Sequence, residues 1–355
     1  KIIVATTYRT CTGNYKDGYM SETPYSYNFN ELLADVEPWQ GEASHLAIIA
    51  GEGTLPLQAV KDAKRQGYIV HVFVIGGNWA EMARYKPFAD VVAPYHLGQL
   101  RRMMNIFRGH QIKYVCFAGK VNKWLLFTQL NLDSLSLRLL KKIPRKNDDA
   151  VMHYIIEGLA YLGMETLPQV KFMQDLFQSE GILAEGHRLS DSDWLGICFG
   201  FDTAKAMAAL DVGQTVVVNE TMVIAIEAIE GTDECLKRAG KLQRKQGGIV
   251  AKVAKPFQDD RFDVPAVGLR TLKTMRDNGL NILVTEAGST LFLDAFEQMK
   301  AYAESHGMTL LSVTEAGLQS WRERLAQRQT KTNATLSPAS LEDATCERGS
   351  TYVYE

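Results

Sequence analysis

Along most of the chain, short apolar runs alternate with segments whose apolar positions recur at helical spacing, and glycine marks the joints between them. The run 46–50 (LAIIA) is short and rich in branched residues, so it predicts a buried strand. It leads into the turn Gly51-Glu52-Gly53-Thr54-Leu55-Pro56, a helical pattern over 57–66 stopped by Gly67, and a second strand over 68–75 closed by Gly76-Gly77. Strand, glycine turn, helix and strand make a βαβ unit, which implies parallel pairing and a right-handed crossover. The alternation continues with a short strand at 90–92 and a helix over 98–108. A strand over 114–118 then ends at Gly119-Lys120-Val121-Asn122, and a helix follows over 150–162.

A polar stretch, 183–194, reads as a loop between this block and a second one. There the pattern predicts a helix over 202–210, a hairpin of 215–218 with 222–228 around Asn219-Glu220, and a helix over 234–239. A strand over 249–254, helices over 269–278 and 293–306, and strands over 282–285 and 309–313 complete it. The string Val-Thr-Glu-Ala-Gly occurs at 284–288 and again at 313–317, as two similar strand ends and not as a repeat array. The expected fold class is α/β, a parallel-sheet N-terminal domain plus a second α/β domain. The expected divisions are 1–44 as an appendage, 45–175 and 176–320 as the two domains, and 321–355 as a polar, disordered tail.

Composition narrows the function classes. With 46% hydrophobic residues the chain can bury a large core, and 39 Lys+Arg against 41 Asp+Glu gives no global attraction for nucleic acid. An anionic partner must be met locally. Such a patch exists: Lys237, Arg238, Lys241, Arg244, Lys245, Lys252 and Lys255 occur within 237–255 with no acidic residue among them. The five scattered cysteines include no C-x-x-C pair, which supports neither a disulfide framework nor a zinc site and fits a reducing cytoplasm. No apolar run reaches membrane-span length, and the first residues lack a secretory-signal pattern.

The patch leads into the stretch richest in chemistry, IVAKVAKPFQDDRFDVPAVG at 249–268. Lys252 and Lys255 are three apart, so a regular strand would point them to opposite faces unless the chain bends before Pro256. Asp259, Asp260, Arg261 and Asp263 follow, and Pro265 biases the residues before it toward extended backbone. Carboxylates beside lysines suit a divalent-metal phosphoester site, the oxygens for Mg²⁺ (or Mn²⁺) and the lysines for phosphate. The alternative is a solvated loop whose charges pair with one another. Elsewhere, the turn at 51–56 resembles a dinucleotide fingerprint, but Pro56 occupies its third glycine position, leaving a generic anion cradle or a plain tight turn. Thr232 or Asp233 would cap the helix after Glu230-Gly231, and Asp148 or Asp149 the helix after 147.

Taken in order, the strings IIAGEGTLP, VCFAGKV, PRKNDDA, LDVGQTVVV, IEGTDECLKR, AKVAKPFQDDRFDVPAVG and VTEAG resemble the UDP-2,3-diacylglucosamine hydrolase family of lipid A biosynthesis, the type unrelated to calcineurin-like phosphoesterases. They cover about residues 46–317. The resemblance implies a Rossmann-like N-terminal domain, a C-terminal α/β domain with substrate between them, and Mg²⁺-dependent cleavage of UDP-2,3-diacylglucosamine to UMP and 2,3-diacylglucosamine 1-phosphate. It places the family's catalytic aspartate on Asp263, with Asp233 a second candidate catalytic and metal carboxylate. Lys252, Lys255 and Thr232 become phosphate contacts, and Gly53, Thr54, Gly119 and Asp149 contacts to the nucleotide or sugar phosphate. Phe257, Phe262 and Val264 would line a cleft for acyl chains, unless they are ordinary core. Glu52 and Lys120 depart from the family's usual residues. A lipid substrate implies peripheral contact with the inner face of the membrane, and a homo-oligomer is a further expectation. Two rivals stay open: a nicotinamide-dependent oxidoreductase, against which Pro56 counts, and a non-catalytic sugar-nucleotide binding protein on the same scaffold.

Overall fold

In the computed structural model, which describes residues 29, 33, 35–77, 79–96, 98–120, 132–142, 148–256 and 258–335, the first apolar run becomes β1 (Glu42–Ala50). With β2 (Ile69–Ile75), β3 (Val91–Tyr95), β4 (Ile112–Ala118) and β5 (Glu165–Thr166) it forms a sheet of order β3-β2-β1-β4-β5, parallel at every pairing. Alternate residues of β1 serve opposite faces, as strand geometry requires. Leu46, Ile48 and Ala50 pack with Ala59, Val60 and Ala63 of α1 (Leu55–Arg65). Ala47 and Ile49 pack with Met103 and Phe107 of α3 (Leu100–Gly109). Both faces being covered, the strands read as continuous apolar runs. α2 (Trp79–Tyr85), α4 (Ser134–Lys142) and α5 (Asp148–Tyr161) complete this half.

The second half is built on a six-stranded sheet. Its members are β6 (Gly181–Glu185), β7 (Thr215–Asn219), β8 (Met222–Ile226), β9 (Ile249–Lys252), β11 (Ile282–Glu286) and β13 (Thr309–Val313), in the order β6-β13-β11-β9-β7-β8. The three central strands are parallel, and β6, β7 and β8 pair antiparallel. α6 (Asp191–Ala209) packs on one face, while α7 (Thr232–Leu242), α8 (Leu269–Asp277) and α9 (Phe296–Ser305) pack on the other. A separate pair, β10 (Ala266–Val267) with β12 (Leu291–Phe292), lies where the halves meet. There Val264, Ala266 and Leu293 pack against the core of the first sheet beside Leu55, and Gln169 N–H donates to the Asp260 carbonyl (3.0 Å).

Several boundaries differ from the pattern-based expectation. β1 begins at Glu42, and Phe29, Leu33, Val36 and Trp39 pack into the first core, with the Trp39 indole donating to the Ile112 carbonyl (3.2 Å). A few apolar residues spaced through a polar window contribute these contacts, and composition does not reveal them. β6 runs into the start of the polar stretch 183–194, and α6 starts at Asp191 with a reciprocal Ser190–Asp193 cap. Past residue 320 the chain continues as α10 (Glu315–Thr335), tied down by the Trp194–Trp321 ring stack (4.5 Å) and by Arg322 on Asp202 (2.6 Å). At the amino ends of the first sheet three histidines cluster: the His45 and His71 rings stack at 5.3 Å, and the His110 ring lies tilted against His71 at 4.8 Å. No helix among the described residues is long and apolar enough to cross a membrane.

Candidate functional site

The carboxyl ends of β1 and β4, where strand order reverses, are joined by backbone alone. Glu52 and Lys120 exchange hydrogen bonds (2.7 and 3.0 Å), and Gly51 N–H donates to the Ala118 carbonyl (2.8 Å). Gly119 has φ +86°, and a Cβ there would lie 2.7 Å from both the Glu52 carbonyl and the Pro56 ring. Pro56 thus takes the room that a dinucleotide fingerprint leaves open, and glycine at 119 is what lets the two turns close. Thr54 is the N-cap of α1 but makes no side-chain cap bond, so its hydroxyl is not committed to the helix. Glu52 and Lys120 are exposed. Gly53, Thr54 and Gly119 therefore lie together at the switch point of the sheet, where open α/β sheets take ligands. The side chains of Asp148 and Asp149, the preceding residues 144–147 and Phe257 lie outside the described residues.

The charged cluster forms at the carboxyl end of β9. That strand stops at Lys252, two residues short of its expected end, and the chain turns at Pro256. The turn removes the opposite-face problem: Lys255 Nζ reaches Asp263 (3.3 Å) and Asp211 (2.7 Å), while Lys252 also feels the Asp263 charge. Lys252 is 8% exposed, and burial pushes its amine below the usual lysine range against the pull of Glu227, Asp233 and Asp263. Its ammonium donates to Thr232 Oγ1 (2.9 Å), and Thr232 donates to Glu227 Oε1 (2.8 Å).

The expected cap at Thr232 or Asp233 is not made. Gly231, with φ +81°, is the N-cap of α7 and supplies no side chain, so Thr232 and Asp233 stand inside the first turn. Thr232 is spent on Lys252 and Glu227, and Asp233 pairs with Arg270 (2.7 Å). The first-turn backbone N–H groups have no side-chain cap, and Asp233 and Glu234 stand in the same turn.

The three aspartates of the DDRFD string have separate fates. Asp259 is gripped by the Arg261 guanidinium (2.6 and 2.8 Å). Burial pushes its carboxyl up, but the Arg261 bonds outweigh this and hold it below the usual range. Asp260 is pushed up by burial and by Asp259. Asp263 pairs with Lys255 (3.3 Å), and its charge also acts on Lys252. Its backbone is fixed by an N–H bond to the Asp259 carbonyl (3.1 Å) and by the Gln258 amide on its own carbonyl, and Gln214 approaches its carboxylate (3.5 Å). Phe262 stacks edge-on to His153 (5.6 Å), and Val264 belongs to the packing between halves, so neither is shown lining an acyl cleft.

Pattern reading overlooked Glu227's partners and the roles of Gln214, Gln258, Asp211 and Arg270. It also missed Glu286, which accepts from Lys205 (2.9 Å) and from Ala254 N–H (2.8 Å) and so pins the end of β9. A carboxylate ending an apolar strand was the available signal for Glu227 and Glu286 alike. Among the described residues no three acidic, histidine or cysteine side chains gather as a preformed metal cage.

Comparison with known proteins adds the following. A family model described as the LpxI N-terminal domain matches residues 45–176, and one described as the LpxI C-terminal domain matches 179–311. A curated relative from Caulobacter vibrioides, UDP-2,3-diacylglucosamine pyrophosphatase LpxI, is 30% identical over 285 residues, covering 76% of this chain and 97% of that protein. The crystal structure of N5-carboxyaminoimidazole synthetase from Staphylococcus aureus aligns with 59% of this chain and 46% of its own at 13% identity, and its TM-score of 0.19 carries no argument.

Proposed function

The chain belongs to the LpxI family, and from that premise we propose that it hydrolyses the pyrophosphate of UDP-2,3-diacylglucosamine to UMP and 2,3-diacylglucosamine 1-phosphate in lipid A biosynthesis. The observation that carries the residue assignment is the Lys255–Asp263 ion pair (3.3 Å) just past the end of β9, the strand that also carries the buried Lys252. A pyrophosphate brings negative charge that must be met at fixed positions in the transition state. Lys252 and Lys255 supply those positions. Asp263 orients the attacking water toward the phosphorus on the sugar side, and Gly53, Thr54, Gly119 and Asp149 receive the nucleotide and sugar phosphate.

Mg²⁺ (or Mn²⁺) is part of the proposal. Magnesium takes one or two protein carboxylates and completes its shell with substrate phosphates and water. Asp263 and Asp233 would be the protein's share, each exchanging a present cation, Lys255 or Arg270, for the metal. Bound there, the ion would neutralise charge on the phosphoryl oxygens. A doubly acylated substrate also implies peripheral contact with the inner face of the membrane.

The test is UMP release from UDP-2,3-diacylglucosamine by the purified protein with Mg²⁺, with an EDTA control and an Asp263→Ala variant. Turnover that needs metal and falls by roughly 10²–10⁴-fold in the variant at unchanged melting temperature is the expected result. A folded wild-type protein that binds the substrate without cleaving it would leave a binding protein in place of an enzyme.

A further inference from the structure

We propose that Glu227 is a positioning residue of this site, holding Thr232 and, through it, the Lys252 ammonium in line with the substrate phosphate. The inference rests on the function proposed above. Glu227 follows β8 immediately, and its backbone is clamped from both sides. Its N–H donates to the Thr215 carbonyl (2.8 Å), and its own carbonyl lies so near Gly213 that a Cβ there would be 2.1 Å away. The carboxylate is therefore delivered to a fixed place by strand pairing.

The link to Lys252 runs through one hydroxyl. A threonine O–H has a single proton, and here Glu227 Oε1 takes it at 2.8 Å. That leaves the Thr232 lone pairs to accept the Lys252 ammonium at 2.9 Å. Reversing the hydroxyl would face its proton toward an ammonium, which has nothing to accept it. Glu227 thus sets the hydroxyl's direction, and the hydroxyl sets the lysine's. One Lys252 N–H is used in this way, and two remain for other acceptors.

The local polarity marks the spot as a place prepared for more than packing. Glu227 Oε2 is buried without a hydrogen-bond partner, and so is the hydroxyl of Thr215, the residue opposite Lys252 in the β7–β9 register. Buried polar atoms left unmatched cost free energy, so their presence next to a buried lysine calls for a reason. A carboxylate kept beside Lys252 supplies one: its negative charge works against the desolvation that pushes the amine below the usual lysine range.

The experiment is a double-mutant cycle on kcat and KM for UMP release, using wild type, Glu227→Gln, Lys252→Met and the double variant, with melting temperatures for all four. Expected is a loss of about 10-fold or more in kcat for Glu227→Gln and about 10²-fold for Lys252→Met, with no further loss beyond about 2-fold when the two are combined. Multiplying losses, or unchanged kinetics in Glu227→Gln, overturn the proposal. Thr232→Val and Thr232→Ser keep it testable if Glu227→Gln folds poorly: the valine variant should reproduce the loss and the serine variant should rescue it. Equal activity of these two variants overturns it as well. Inactive wild-type enzyme would instead refute the pyrophosphatase reading, so the two failures are distinguishable.

Discussion

The two sheets present their carboxyl ends in different materials. The N-terminal one offers backbone: two glycine-bearing turns bridged through Glu52 and Lys120, with both side chains exposed. The C-terminal one offers side chains: a buried lysine, a second lysine and several carboxylates held in pairs. A cradle of backbone N–H groups recognises an anion by shape and tolerates little change in chain path, whereas a cluster of charged side chains tolerates changes of shape and depends on charge. Variants in the first should therefore lose binding and stability together. Variants in the second should lose turnover while remaining folded.

After Asp263→Ala, the largest expected effect on the charged side is Lys252→Met. It should lower kcat/KM by on the order of 10²-fold per folded molecule and lower the melting temperature as well, because the Glu227 carboxylate linked to it through Thr232 loses its cation. A lowered melting temperature with normal kinetics per folded molecule would make Lys252 structural. On the backbone side Gly119→Ala comes next. Positive φ and a 2.7 Å approach to the Glu52 carbonyl should cost about 1–3 kcal/mol in urea unfolding and weaken UMP binding in calorimetry. Intact UMP binding in this variant would remove the cradle from the site.

A third prediction concerns the opposite end of the first sheet. Burial, then the His110 and His45 charges, depress His71 to about 4, against the weaker pull of Asp90. The folded state therefore binds this proton later than the unfolded chain does, so its contribution is complete above about pH 6.5 and is lost as pH falls toward 4. Urea unfolding should show about 2 kcal/mol less stability from this group at pH 5 than at pH 7, and His71→Phe should flatten that slope. The smallest effect is expected at Glu52→Ala. The side chain is exposed to solvent, so activity should change less than about 2-fold. A large loss there would mean that the backbone cradle carries a working acid.

Much of this was legible along the chain. The run 46–50 declared a central strand because burial on both faces leaves no polar alternation, and the glycines at 51, 53 and 119 declared turns at strand ends. Lys252, Lys255 and three aspartates could be picked out from charge within apolar sequence, and the family resemblance singled out Asp263 among them. What could not be read was pairing across distance. Whether Asp259 or Asp263 pairs with Lys255 depends on Arg261 folding back onto Asp259, a local choice made only once Gln258 and the Pro256 turn have set the path. Likewise Thr232 looked like a cap, and it became a relay because Gly231 took the cap position. α6 was read late because a helix buried around Ile197, Cys198, Phe201 and Ala204 shows little polar face, although Ser190 and Asp193 announced its start.

Asp263 is followed at once by Val264, whose side chain packs into the first sheet's core. The acid is thus mounted on the fastening between the two halves and not within either one. Expressed as separate polypeptides, the C-terminal piece would own the aspartate but lack the surface that steadies it, and the N-terminal piece would own the surface alone. Activity regained on mixing the two would then report reassembly of the whole molecule, making catalysis a gauge of how firmly the halves are joined.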